Sequence, residues 1–457
     1  MALGRRKPRE NSLWVSAESL QRSPGHPFYL ALEKLLKEAG FDRFVEELCE
    51  PFYHTSKGRP SIPPGVYFRM LFVGFFEGIE SQRGIAWRCA DSNSIRDFLG
   101  LPVDKKSPDH SSLTVIRKRL SLDVHMEVFR FVVDLAAKKK LLKGKTLAVD
   151  ATLLEANAAM KSIVRRDTGE DWKEYVRRLA EDEGMEDPSD DDLRRFDKKR
   201  KGKKVGNDDW ESKSDPDSRI MRMKDGRTHL SYKAEHALDL ESEIIVAATI
   251  THGTTSDPDS LVETLSEAQA MYEIVDCDNV EELVADRGYH DGPTLAACEE
   301  LGIRTYVPEP KYKGRRIWTN KTEKEKAAVL ANRVRNKRPK GKRLQRQRSE
   351  RVERSFAHTC GSGGARRTQL RGLEDVRKRY AMHVTGRNLG RILFLLLGVG
   401  TPRSLHGAAW ARSAAGRALG VITRSLEAAW RPIRCTTAVI GHVIGAIGGQ
   451  RPMAVAA

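Results

Sequence analysis

Cysteine is scarce: six residues in 457, at 49, 89, 277, 298, 360 and 435, with no CxxC pair and no histidine at zinc spacing. That excludes a disulfide framework and a zinc module, and fits a reducing cytoplasm. Long apolar runs are missing too. The nearest, CTTAVIGHVIGAIGG, contains a histidine and four glycines, and FLLLGVG is too short to span a bilayer, so no membrane association is expected. MALGRRKPRENSLW has no apolar stretch behind its basic residues, and export is not expected either. The 12 histidines are dispersed, which leaves no cluster for a histidine-based nuclease. A phosphate-cradling loop is also absent: GKT at 144–146 would need glycine at 139, where lysine stands, and it opens a strand rather than a helix. No nucleotide cofactor is expected.

What the chain has in excess is positive charge. Lys and Arg total 80 against 63 Asp and Glu, a formal net charge of +17. That surplus points to a polyanion, of which nucleic acid is the commonest, since each neutralised phosphate releases condensed counterions. Residues 333–354, RVRNKRPKGKRLQRQRSERVER, concentrate it, with 11 basic residues in 22.

A short N-terminal arm (1–27) precedes apolar residues at helical spacing over 28–140, broken by Pro and Gly, which predict a helical domain for DNA binding or dimerisation. Within it SPDHSSLTVIRKRL reads as an N-capped helix whose basic face either meets DNA or is simply solvated. From 145 the pattern changes. KTLAVDATLLEA, LSYKAEHALDL and EIIVAATITH read as strands, the last two as a hairpin about Glu-Ser-Glu. Helix, strand, helix and strand follow, with a last helix from near 344. The order βββαβαβα predicts an α/β fold, a mixed sheet with helices on its faces, over 145–400. Two insertions interrupt it: 161–227, dense in both signs of charge and expected to be a solvated helix plus loop, and a basic segment at 309–343. The tail 401–457 is rich in Ala, Gly and Arg.

Asp150 ends the apolar run TLAVD and Asp286 ends ELVAD. On neighbouring strands both carboxylates would emerge at one sheet edge, where open α/β sheets bind ligands. Two adjacent carboxylates repel unless a cation compensates them, and hard oxygen donors favour Mg²⁺ or Mn²⁺. A pair of ions about 4 Å apart usually needs a third carboxylate. Glu353 on the last helix is the best placed, with Glu350 competing. Arg346, Arg348, Arg351 and Arg354 beside it are candidates to hold phosphates. Tyr289 is a candidate to stack on a base, or else a packed aromatic whose hydroxyl finds a partner, while Gly288 permits close backbone approach. Glu155, Asp239, Asp257 and Asp291 are read as structural.

The segments VDATLLEANAAM, GRTHLSYKAEHALDLES, LVADRGYH, SERVERSFAH and RKRYAMHVTGRNLG resemble bacterial insertion-sequence transposases of the DDE type, and SQRGIAWRCADSNSIRDFLGL resembles their N-terminal helical domain. The resemblance implies a ribonuclease H-like catalytic domain with Asp150, Asp286 and Glu353 as its three carboxylates. It also implies two Mg²⁺ or Mn²⁺ ions, double-stranded DNA as partner, and a homodimer on that DNA. Many such transposases carry a Tyr and an Arg before the Glu and a Lys seven positions after it; Arg346, Ser349 and Cys360 stand there in this chain. Two activities are open: metal-dependent cleavage and strand transfer at terminal inverted repeats, or a catalytically inactive DNA-binding descendant acting as a regulator.

Overall fold

Apolar residues three and four apart, punctuated by Pro and Gly, build seven helices before the first strand. They are α1 (Pro27–Glu38), α2 (Phe41–Cys49), α3 (Pro64–Glu77), α4 (Gln82–Asp91), α5 (Asn93–Phe98), α6 (His110–Arg119) and α7 (Leu122–Lys138). The computed structural model describes residues 25–405 apart from 55–57, 59–60, 103, 200–206, 278 and 312–317. The N-terminal arm before residue 25 and the tail from 406 lie outside the described residues. Helix α3 is buried on nearly all sides, and its one basic residue, Arg69, is neutralised inside by Glu33 and Asp42. Asp109 caps α6 as its sequence predicts, its carboxylate accepting the Ser111 amide at 2.8 Å. Part of the basic face of α6 turns inward: Arg117 is buried 3.4 Å from Asp375, while Lys118 and Arg119 are exposed.

The sheet follows from β1 (Thr146–Glu155). A small hairpin of β2 (Ile163–Arg165) and β3 (Trp210–Ser212) brackets α8 (Trp172–Asp182) and α9 (Asp190–Lys199). The strands β4 (Arg219–Arg222), β5 (Thr228–Asp239) and β6 (Ile245–His252) come next, then α10 (Asp257–Ile274), β7 (Glu282–Val284), α11 (Gly292–Glu300) and β8 (Arg304–Tyr306). Three helices close the described chain: α12 (Glu323–Lys337), α13 (Pro339–Phe356) and α14 (Leu373–Leu397). Across the sheet the order is β5-β1-β7-β8, with β6 and β4 sharing the outer edge of β5. β5 is antiparallel to β1, and β1, β7 and β8 are parallel. Helices cover both faces, so β5 is buried on both sides and reads as a nearly continuous run.

Two segments differ from expectation. The charged insertion 161–227 holds two helices, a hairpin and an edge strand, because Tyr175, Val176, Leu193 and Trp210 supply a small core that its composition hides. Buried Asp215 ties it to the sheet, accepting from the Tyr232 hydroxyl at 2.6 Å and the Gly372 amide at 3.0 Å. Most of the basic segment 309–343 is likewise helical: α12 is capped by a Thr322–Glu325 box, and α13 starts at Pro339, about a turn before the predicted start near 344.

Buried apolar side chains form one cluster from Phe28 to Leu393. Helix α14 is its shared wall, packed against α7, α3 and β6. Gly386 makes this possible, since a Cβ there would fall 2.7 Å from the Phe75 ring. Asn388 grips the start of β6, its amide accepting from Ile245 N at 3.0 Å and donating to Ile245 O at 2.7 Å. Leu389→Ala, at a fully buried position, is expected to cost about 2–5 kcal/mol. In hydrogen exchange α7 and β6 should lose protection together; loss confined to one of them would mean two separate cores.

Candidate functional site

Asp150 does not end its strand. It sits midway along β1, opposite His236 of β5, and pairing with β5 continues to Glu155. The opening lies on the other side, because the parallel neighbour β7 stops at Val284, opposite Ala148. The same register carried two residues further brings Asp150 beside Asp286, on the same face of the sheet. Each carboxylate is oriented locally: Asp150 Oδ1 accepts the Ala151 amide at 2.8 Å, and Asp286 Oδ1 accepts the Gly288 amide at 2.7 Å, opening the turn Arg287–Tyr289. Burial pushes the Asp150 carboxyl above the usual carboxylate range, and the charge of Asp286 adds to this. Arg348 opposes both, its Nη1 donating to Asp150 Oδ2 at 2.7 Å.

Helix α13 delivers that arginine by lying across the strands. Gln345 donates to the carbonyls of Ala285, just past β7, at 3.0 Å, and of Tyr306, the last residue of β8. Arg348 meets β1. Ser355 and Phe356 meet β5, where the Phe356 ring stacks on His236 with centroids 4.1 Å apart. His236 is fully buried; that burial, with the charge of Arg387, holds its imidazole well below its usual range, so the ring is neutral. Ser355 spends its proton on the Val352 carbonyl, at 2.8 Å, so His236 Nδ1 donates to Ser355 Oγ at 2.9 Å. Nε2 then accepts from the Tyr380 hydroxyl at 2.7 Å. This chain of bonds fastens α13 and α14 to the strand beside Asp150.

Around α13, Glu353 stands about 140° from Arg348, next to Ser349 on the flank from which Gln345 reaches the end of β7. Glu350 stands about 200° from Arg348, faces away from the sheet and is paired to Arg354. Glu353 is exposed, and no group of three His, Cys, Asp or Glu residues among the described residues is arranged to hold a metal ion. The two aspartates are brought together; the glutamate is on the right flank but outside their cluster.

The other expected contacts are largely occupied. Of the arginines, Arg348 is bound to Asp150, Arg351 to the Leu240 carbonyl and Arg354 to Glu243, at 2.7 Å, leaving only Arg346 exposed. Arg333, Arg335 and Lys340 are likewise paired to Glu309, Glu299 and Glu282. Much of the basic run therefore holds α12 and α13 to the sheet, and Lys337, Arg338, Lys342, Arg343 and Arg346 are its exposed remainder. Tyr289 has no face to offer a base: it is 1 % exposed, and its hydroxyl donates to Glu235 at 2.6 Å. It is the packed aromatic. Gly288 is needed, since a Cβ there would lie 2.1 Å from Asp257 Oδ2.

That contact leads to a polar network on the opposite face of the sheet, which sequence reasoning missed. Lys233 Nζ donates to Asp257 at 2.6 Å and Ser260 at 2.9 Å, and Ser260 donates to Glu235 at 2.7 Å. Together with Tyr289 these bonds pin the Asp286 turn from beneath. A signal was present: Lys233 and Glu235, two apart on an interior strand, must lie on one face, and charges buried there need partners.

Residues 145–389, more than half of the chain, match the family model described as a transposase DDE domain, and residues 16–119 match one described as a transposase domain (DUF772). The chain belongs to the DDE transposases. No curated protein and no solved structure matches it. Both aspartates of the transposase, and the helix that carries Glu353, fall inside the DDE match.

The electrostatics are testable. Arg348→Ala should raise the Asp150 pKa further and Asp286→Asn should lower it, as read by carbon-13 titration of the carboxyls; two unchanged curves would break the proposed coupling. Because the folded-state pKa is raised, neutral Asp150 stabilises the transposase fully below its unfolded value of about 3.9, and this is lost as pH rises through the folded value. Tyr289→Phe removes a donor from buried Glu235 and should cost about 1–3 kcal/mol in thermal denaturation.

Proposed function

We propose that this transposase is encoded by a bacterial insertion sequence, and that it binds the element's terminal inverted repeats in double-stranded DNA and carries out strand cleavage and strand transfer as a cytoplasmic, nucleoid-associated homodimer. The observation that carries the reading is the placement of Asp150 beside Asp286 on parallel neighbours within a DDE transposase match. The sheet is read as ribonuclease H-like from its strand order, with one antiparallel hairpin preceding the parallel pair. The arm 1–27 and the helices of 28–140 are assigned to DNA binding and dimerisation. Residues 145–400, with insertion 161–227 and basic segment 309–343, are assigned to catalysis, and 401–457 to a variable tail.

The donor set suits a hard divalent cation. Two half-buried carboxylates share one face, and among the described residues the only counter-charge touching Asp150 is the Arg348 guanidinium, which leaves its carboxyl above the usual range. Asp150, Asp286 and Glu353 would hold two Mg²⁺ or Mn²⁺ ions, which supply charge neutralisation and activation of a water or DNA 3'-hydroxyl. The chain's own residues do the rest. The network through Glu235 and Tyr289 fixes the Asp286 turn, the His236 bonds fix α13, and exposed Arg346 and Lys342 on the Glu353 flank meet the phosphates. A groove of about 620 Å³ along the second half of β1 is lined by Arg222, Lys224, Lys233 and Arg366 but also by Glu155, Asp225 and Asp257, so it has little basic surplus to draw a DNA strand.

A DNA-binding descendant that no longer cuts is favoured by one observation, that Glu353 stands outside the aspartate pair. One experiment separates the two. Asp150→Ala, Asp286→Ala and Glu353→Ala should each abolish Mg²⁺-dependent cleavage of element ends and leave salt-sensitive binding within a few-fold, whereas Glu350→Ala should keep cleaving. Wild-type protein that binds the ends and never nicks them, with Mg²⁺ or Mn²⁺, would establish the inactive descendant.

A further inference from the structure

On the flank of α13 away from Asp286, a cavity of about 440 Å³ opens between the sheet, α14 and the N-terminal helices. Arg354 and His358 reach it from α13 and the turn after it, Arg387 and Arg391 from α14, and Arg403 from the segment beyond. Glu243, buried in the β5–β6 turn, is the one carboxylate lining it. Its Oε1 accepts from Arg354 at 2.7 Å and Arg391 at 3.2 Å, while Arg387 is bound only to its carbonyl, with Nη2 3.8 Å from Oε2. Four guanidiniums thus line the cavity with one carboxylate among the described residues; Arg391 also donates to the Ser242 carbonyl at 2.7 Å, Arg403 to the Glu77 carbonyl at 3.4 Å, and Glu350 takes up part of Arg354 from the outside.

Of the four only Arg387 is buried, and the buried carboxylate that faces it, Glu243, is shared with Arg354 and Arg391. Arg387 is 4 % exposed, and within the described residues one of its five N–H groups has an acceptor. Burial, with its arginine neighbours, presses this guanidinium down to about 9. The planar donor forks of Arg387, Arg391 and Arg403 suit a tetrahedral oxyanion.

We propose that this cavity is a phosphate-binding site, separate from the aspartate pair, which takes either a backbone phosphodiester of bound DNA or a free phosphate. Only the DNA source rests on the transposase reading. Full-length protein is melted without divalent metal, in inorganic phosphate and in chloride at equal ionic strength. Phosphate should raise Tm by about 3 °C over chloride. Arg391→Gln with Arg403→Gln should abolish that rise, while Lys173→Gln, at an exposed position of α8, keeps it. Should the double variant fold poorly, Arg403→Gln alone, at an exposed position, should weaken phosphate binding at least 5-fold in calorimetric titration. Displacement of phosphate by a short DNA duplex identifies the backbone as the source, and persistence of phosphate identifies the free ion. No rise over chloride, or an equal rise in wild type and a folded double variant, overturns the site. Protein that cleaves DNA yet shows no such rise overturns this inference and leaves the transposase reading intact.

Discussion

Parallel pairing of β1 with β7 puts two carboxylates side by side in a half-buried setting, and much of the surrounding architecture follows from that constraint. The charge of Asp286, just past the end of β7, adds to the cost of ionising half-buried Asp150, so the fold must bring positive charge there. Arg348 does so from α13, and α13 can hold Arg348 there only if it is itself fixed across the strands. The neutral His236, locked between Ser355 and Tyr380 and stacked on Phe356, provides that fixing one strand away from Asp150. The helix is tied to the sheet by Arg348 at the carboxylate and by Ser355 and Phe356 at a buried, uncharged latch.

The reverse face solves a different problem. Asp286 lies in a tight turn rather than in a strand, so its direction depends on what supports the turn. Glu235, Tyr289, Lys233 and Asp257 supply that support as a nearly dry polar network. Buried polar groups satisfied by one another hold geometry more sharply than apolar packing, and leave few alternative arrangements. Positions with no direct part in chemistry thus set the aspartate's orientation.

The basic residues around 333–354 show why composition alone misleads about binding. Their surplus was legible as attraction to a polyanion, but six of the eleven are spent inside the protein, on Glu309, Glu299, Glu282, Asp150, Glu243 and the Leu240 carbonyl. The same atoms that would grip phosphate also grip carboxylate, and only the partner's position tells which. Arg387 and Arg391, which share Glu243 with Arg354, show the opposite case, cations brought together around a single acid.

Strand order, the helical N-terminal region, the two aspartates and the helix bearing Glu353 could be read from periodicity, turn residues and motif spacing, because those signals are local in the chain. Composition hid the folded insertion at 161–227 and the helix α12, since a few apolar residues suffice to nucleate a small core among many charges. Whether Tyr289 faces DNA or the interior, whether Glu350 or Glu353 shares the flank of Asp286, and which arginines remain free were decided only in three dimensions. Each of those outcomes depends on a partner more than twenty residues away or on the rotation of a helix against a sheet, as with Tyr289 and Glu235 or Arg354 and Glu243. The two aspartates themselves combine both levels. Sequence marked them as the ends of apolar runs, and the early stop of β7 against a longer β1 turned a mid-strand residue into one edge of an open site.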